Sequence, residues 1–132
     1  MSSFTTPLVV EKVGERLWKT YRELMYYVGE ENSADIITVP VGFTTDFASI
    51  PQLFWALLPP DGKYTAAAVV HDYLYFTQTR TRLVSDRIFL EAMKVLKVNV
   101  FKRLIMYRAV RTFSWIPWNR HAKRIRKGLS NG

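Results

Sequence analysis

The chain contains no cysteine. Disulfides and thiolate metal sites are therefore excluded, and packing alone must hold the fold, which suits the cytosol or a virion better than a secreted scaffold. Also missing is any apolar run near the roughly 20 residues that span a bilayer, and Met1-Ser2-Ser3-Phe4 does not begin a signal peptide. Acids are absent from one whole stretch. Residues 100–132 hold nine Lys/Arg and no Asp or Glu, whereas residues 1–99 hold ten and eleven. The net charge of +8 is therefore a near-neutral body followed by a basic end. Such an end either meets a polyanionic surface (phosphate head groups, nucleic acid or an acidic protein) or keeps a small apolar protein soluble. No phosphate-binding glycine loop, G-x-S-x-G elbow or H-E-x-x-H motif is present, so those enzyme classes are set aside.

What the chain does have is apolar residues, 48% of 132, with 14% aromatic. That suffices for one folded domain. Residues 1–50 read as mainly β with a loop. Pro7 to Val13 ends at Gly14, and Ile36-Ile37-Thr38-Val39-Pro40 is β-branched and proline-limited. Between them, Leu17 to Val28 fits a helical stripe, but its aromatic content and the turn residues Gly29 to Ser33 favour strands. A loop from Gly42 to Pro51 leads into a short helix near Gln52 to Leu58, with Ser49 as its N-cap, and Pro59-Pro60-Asp61-Gly62 stops it. Residues 51–114 are helical, with helices over Lys63–Phe76, Leu83–Leu96 and Val100–Phe113. Trp115-Ile116-Pro117-Trp118 breaks the last before a basic tail, residues 115–132. The fold class is α+β.

The chemistry concentrates in Ala67 to Tyr75 and at Asp86. His71, one of two histidines, shares a helix face with Ala67, Ala68, Leu74 and Tyr75, while Asp86 shares a stripe with Phe89, Leu90 and Met93. If the hairpin turns between Gln78 and Thr79, His71 stands opposite Asp86 and small Ala68 opposite large Phe89. A dry unpaired imidazolium or carboxylate costs several kcal/mol, so a direct bond is expected. That bond fixes the imidazole tautomer and leaves the other nitrogen as an acceptor, as a general base for water requires. Asp72, rotated ~100° from His71, faces the preceding loop. Asp46 and backbone carbonyls there are placed to share a hard cation with it. Tyr75 is placed to bond and stiffen Asp86. The alternative is a satisfied core network, with Asp72 a solvated helix residue and Asp46 forming an Asx turn.

The pattern His71-Asp72-Tyr73-Leu74-Tyr75 with Asp86 resembles the phospholipase A2 superfamily signature. That resemblance implies an antiparallel helix hairpin with His71 as general base, Asp72 as calcium ligand, and Tyr75 and Asp86 in support. The calcium loop and the disulfides of the secreted enzymes are absent. Over nearly its whole length the chain also resembles a family of uncharacterised tailed-phage and prophage proteins. The shared motifs are Val39 to Pro51, Ala67 to Tyr75, and Arg82, Asp86 and Phe89. That likeness implies phage origin, in the host cytoplasm or the virion.

Two functions are expected. One is a metal-assisted hydrolase, with calcium or another divalent cation, acting on an ester or amide of the host envelope and docking on an anionic membrane through the basic end. The other is a non-catalytic virion or tail-associated protein whose basic end binds another phage protein. Nucleic-acid binding through the same cations is a weaker third, since no recognisable module supports it. Trp115 and Trp118 suit an interfacial anchor or packing on the core. His121, set among cations, is expected at the surface.

Overall fold

β-branched and aromatic residues alternate between core and solvent along the N-terminal strands, which build two small antiparallel sheets. A computed structural model describes residues 3–4, 8, 10–14, 17–29, 34–47, 49–57 and 64–131. One sheet has the order β1 (Ser3–Phe4), β4 (Leu24–Tyr27), β5 (Ile36–Val39). Leu24 pairs with Val39 and Tyr26 with Ile37, and all four point inward and are buried. The other sheet has the order β2 (Val10–Gly14), β3 (Leu17–Thr20), β6 (Thr44–Thr45). The stretch from Leu17 to Val28 is thus two strands, as its aromatic content suggested.

Thr20 joins the two sheets. Its hydroxyl donates to the Pro40 carbonyl at 2.8 Å and accepts from the Phe43 amide at 3.0 Å, while its own amide donates to the Phe43 carbonyl. The chain reaches the Thr45–Ile50 loop from this anchored point. A 3-10 helix, Gln52–Leu57, follows. The expected turn at Pro59 to Gly62 and the helix start at Lys63 lie outside the described residues.

α1 (Thr65–Thr77) is the central element. It is buried at Ala67 to Asp72, Leu74 and Tyr75, nearly all round, as expected of a helix apolar on every side. It ends at Gln78, whose left-handed backbone (φ 52°) returns its amide to the Leu74 carbonyl. α2 (Arg82–Val95) starts at Thr81, whose side chain accepts from the Val84 amide. α3 (Val100–Phe113) starts at Asn99, which accepts from the Phe101 amide. Both are side-chain N-caps. The two helices match the expected spans to within a residue.

The C-terminal segment departs from expectation. Residues after Ser114 form α4 (Trp115–Asn131), not an unstructured tail. Pro117 does not break it, because proline is tolerated in the first turn, where amides have no partner within the helix. The first such bond runs from the Trp118 amide to the Ser114 carbonyl at 3.1 Å. α4 packs on α1: Trp118 meets Tyr75 edge-on at 5.0 Å, and its carbonyl accepts from the Gln78 side chain. His121 is likewise half-buried against Phe76, not a free surface residue. Burial, then Arg124, pushes its pKa down. Among the described residues no helix is long and apolar enough to cross a membrane.

A chain ending at Phe113 loses the Trp118 contact with the core. Burying one large side chain contributes about 1.5–3 kcal/mol. Urea unfolding of the shortened chain should therefore show at least that loss; a free tail would leave the midpoint unchanged.

Candidate functional site

Three helices and one loop meet at the α1–α2 hairpin. His71 has no exposed surface, and its ring lies 4.6 Å from Phe89 and 4.4 Å from Tyr75. Its Nε2 is 2.7 Å from Asp86 Oδ1, across the hairpin register expected from the sequence. Tyr75, one turn on, donates to the same oxygen at 2.6 Å. Arg111 reaches in from α3 and donates to Asp86 Oδ2 at 2.7 Å, with Arg82 3.6 Å away on the turn before. The Arg82 guanidinium also donates to the Val110 and Arg111 carbonyls, which fixes α3 against α2.

The other ring nitrogen, Nδ1, lies 2.9 Å from Ser49 Oγ. The Ser49 hydroxyl and amide both donate to Asp72 Oδ1, and the Thr45 hydroxyl donates to Asp72 Oδ2. Thr45 in turn accepts the Phe47 amide, where the backbone turns through φ 58°. Ser114, between α3 and α4, donates its hydroxyl to the Ser49 carbonyl. The polar chain therefore runs unbroken from Arg111 through Asp86, His71, Ser49 and Asp72 to Thr45.

Counting protons limits what this chain can hold. Ser49 has one hydroxyl proton. When that proton goes to an ionised Asp72, His71 Nδ1 must donate to Ser49 Oγ, and the imidazole carries both protons. When Asp72 holds a proton and donates to Ser49, the hydroxyl turns to His71 and the imidazole is neutral. The two arrangements differ by one proton passed through Ser49.

Burial first pushes Asp72 above the usual carboxylate range, against the opposing bonds from Ser49 and Thr45. Asp86 is also pulled up by burial, but the His71, Tyr75 and Arg111 bonds together hold it below that range. Burial and then the Asp86 bond push the Tyr75 hydroxyl up, so it remains a donor.

Of the residues singled out in the sequence, His71, Asp86 and Tyr75 come together. Asp72 does face the preceding loop, but side-chain hydroxyls of that loop meet it, not a second carboxylate. Asp46 is exposed and does not join it. Among the described residues, no group of three or more His, Asp or Glu could hold a metal ion. Ser49 is not the expected N-cap; it links His71 to Asp72. Its role has no periodic signal, because it sits in an irregular loop. Arg111 was also missed, being 25 residues from Asp86 in sequence. Arg82, four residues before Asp86 on one helix, was the visible hint that this carboxylate is cation-paired.

This is an α+β domain with a buried His–Asp hairpin. Residues 18–110 match the model of DUF1353, a family described only as proteins of unknown function, and the chain belongs to that family. It is also 42% identical over 77 residues to a Sinorhizobium fredii protein called "uncharacterized protein y4jT". The match covers 57% of this chain and 23% of that protein. No solved structure matches.

The network separates two substitutions. Asp86→Ala strands two buried donors and a guanidinium, and should cost about 3–5 kcal/mol. Asp72→Asn keeps one oxygen for Ser49 and turns its amide toward Thr45, so stability at neutral pH should stay within about 1 kcal/mol of wild type. Because Asp86 titrates below its ordinary 3.8, its contribution is present above that pH and is lost as pH falls through the folded value. Asp72 has the opposite sign, since its contribution holds below 3.8 and fades as pH rises through its raised folded value. Urea midpoints against pH should therefore show less loss above pH ~4 for Asp72→Asn than for wild type.

Proposed function

We propose that this domain is a non-catalytic docking module whose basic C-terminal third binds an anionic partner. The observation that carries this reading is that His71 is fully buried with both ring nitrogens bonded to side chains of its own chain. A general base needs a nitrogen open to water or substrate, and Ser49 fills that place. A cation at Asp72 needs free carboxylate lone pairs, and Ser49 and Thr45 engage both oxygens. What the network does instead is join elements. Arg111 ties α3, and Ser114 ties the start of α4, to the hairpin and its loop. Those two helices carry the nine cations, so the buried chain sets where the basic surface lies. The motif resemblance to tailed-phage proteins suggests a phage particle as the setting, with another particle component as one candidate partner.

A second reading, the phospholipase A2-like hydrolase, is favoured by one specific observation. Asp86, His71 and Ser49 stand in the order of a Ser–His–Asp relay, at 2.7 and 2.9 Å. It requires the Thr45–Ile50 loop to withdraw, opening His71 to water or Ser49 to an ester or amide carbonyl, and freeing Asp72 for calcium or another divalent cation.

One assay separates the two. Purified protein, with and without calcium, is incubated with mixed phospholipid vesicles and with peptidoglycan, beside a His71→Ala variant. The docking reading expects no product release above buffer under any condition. Hydrolysis that disappears in the variant would overturn it.

A further inference from the structure

Resting on the docking reading, we propose that the partner of α4 is the surface of an anionic lipid bilayer, on which the helix lies with its outward face in the head groups. The exposed positions of α4 fall on one side. Trp115 and Ile116 come first, at 51% and 47% exposed, followed by Arg120, Lys123, Arg126 and Lys127. The opposite side, with Trp118 and His121, turns to the core. Arg124 also belongs to the inner side, over the Phe76 ring at 4.1 Å and bonded to the Phe76 carbonyl. No acid lies anywhere on α4 to weaken the outward charge.

Charge complementarity alone would allow any polyanion. The apolar residues decide between them. Phe113, at 48% exposed, joins Trp115 and Ile116, so three large apolar side chains stand in water within four residues at one end of the basic face. They border a hollow of about 220 Å³ lined by Pro51, Phe113, Ser114, Ile116, Pro117 and Arg120. A duplex nucleic acid or an acidic peptide gives phosphates or carboxylates to the cations but covers none of this apolar surface. A bilayer interface takes both, with aromatic and aliphatic groups at the acyl boundary and Lys/Arg on phosphates. The hollow, apolar with a guanidinium in its wall, suits an acyl segment whose phosphate meets Arg120.

The full chain is tested by co-sedimentation with vesicles of phosphatidylcholine alone or mixed with phosphatidylglycerol, beside duplex DNA and polyglutamate in solution. Binding is expected only to the anionic vesicles, and should be reversed by salt. Lys123→Gln or Arg126→Gln should each weaken it about five-fold. Trp115→Ala should weaken it several-fold at unchanged helicity and unfolding midpoint. Loss of the cation effect but not the tryptophan effect, or the reverse, overturns the proposal. Binding to DNA or polyglutamate without binding to vesicles also overturns it, while the docking reading survives. Binding to none of the three removes both.

Discussion

The bond between the His71 imidazole and the Asp86 carboxylate, 2.7 Å long and without solvent access, is the constraint around which the rest is arranged. Neither group can be dry alone. Asp86 therefore needs the Tyr75 hydroxyl and the Arg111 guanidinium as well, which draws α3 onto the hairpin. His71 needs a partner at its second nitrogen, which draws in Ser49 and with it the loop. Asp72, next to His71 on α1, then shares Ser49 and recruits Thr45 from β6. One ion pair thus specifies the relative placement of two sheets' connecting loop and three helices. The packing supports it, since Ala67, Ala68, Val69 and Val70 around it are fully buried.

Part of this was legible in the sequence. Helical periodicity placed His71 and Asp86 on apolar faces, and a short polar turn set the register that brings them together with Tyr75. That inference succeeds because a hairpin is local, and one turn position decides every facing pair. The strands from Leu17 to Val28 were legible by their aromatic residues and turn signals, though the helical stripe competed.

Other features depend on contacts that no local pattern encodes. Ser49 sits in a loop whose shape comes from Thr20, Thr45 and the left-handed Phe47, so its hydroxyl could be read only as a cap. Arg111 is aimed by the packing of α3, which periodicity does not supply. Pro117 was read as a breaker because proline usually ends a helix, yet within the first turn it removes an amide that has no partner there. The same error made a tail of α4 and a surface residue of His121. Asp72 and Asp46 were paired on the chemistry of calcium sites, whereas the loop offers hydroxyls to Asp72 and leaves Asp46 outside.

The charges divide accordingly. Arg82, Arg111 and Arg124 are spent inside the domain, on carbonyls, a carboxylate and a ring. Arg120, Lys123, Arg126 and Lys127 face outward with no acid on their helix. A buried polar chain sets a basic surface in place, and the two halves of the molecule meet at Ser114, where α3 gives way to α4 and a hydroxyl reaches back to Ser49.

The most direct measurement is proton NMR of the His71 ring in water with ¹⁵N-labelled histidine. The account predicts an Nε2 proton resonance that is hydrogen-bonded to Asp86, shifted far downfield and protected from exchange with solvent. A His71 ring whose N–H protons exchange freely with water at neutral pH would contradict it, because the site would then be open.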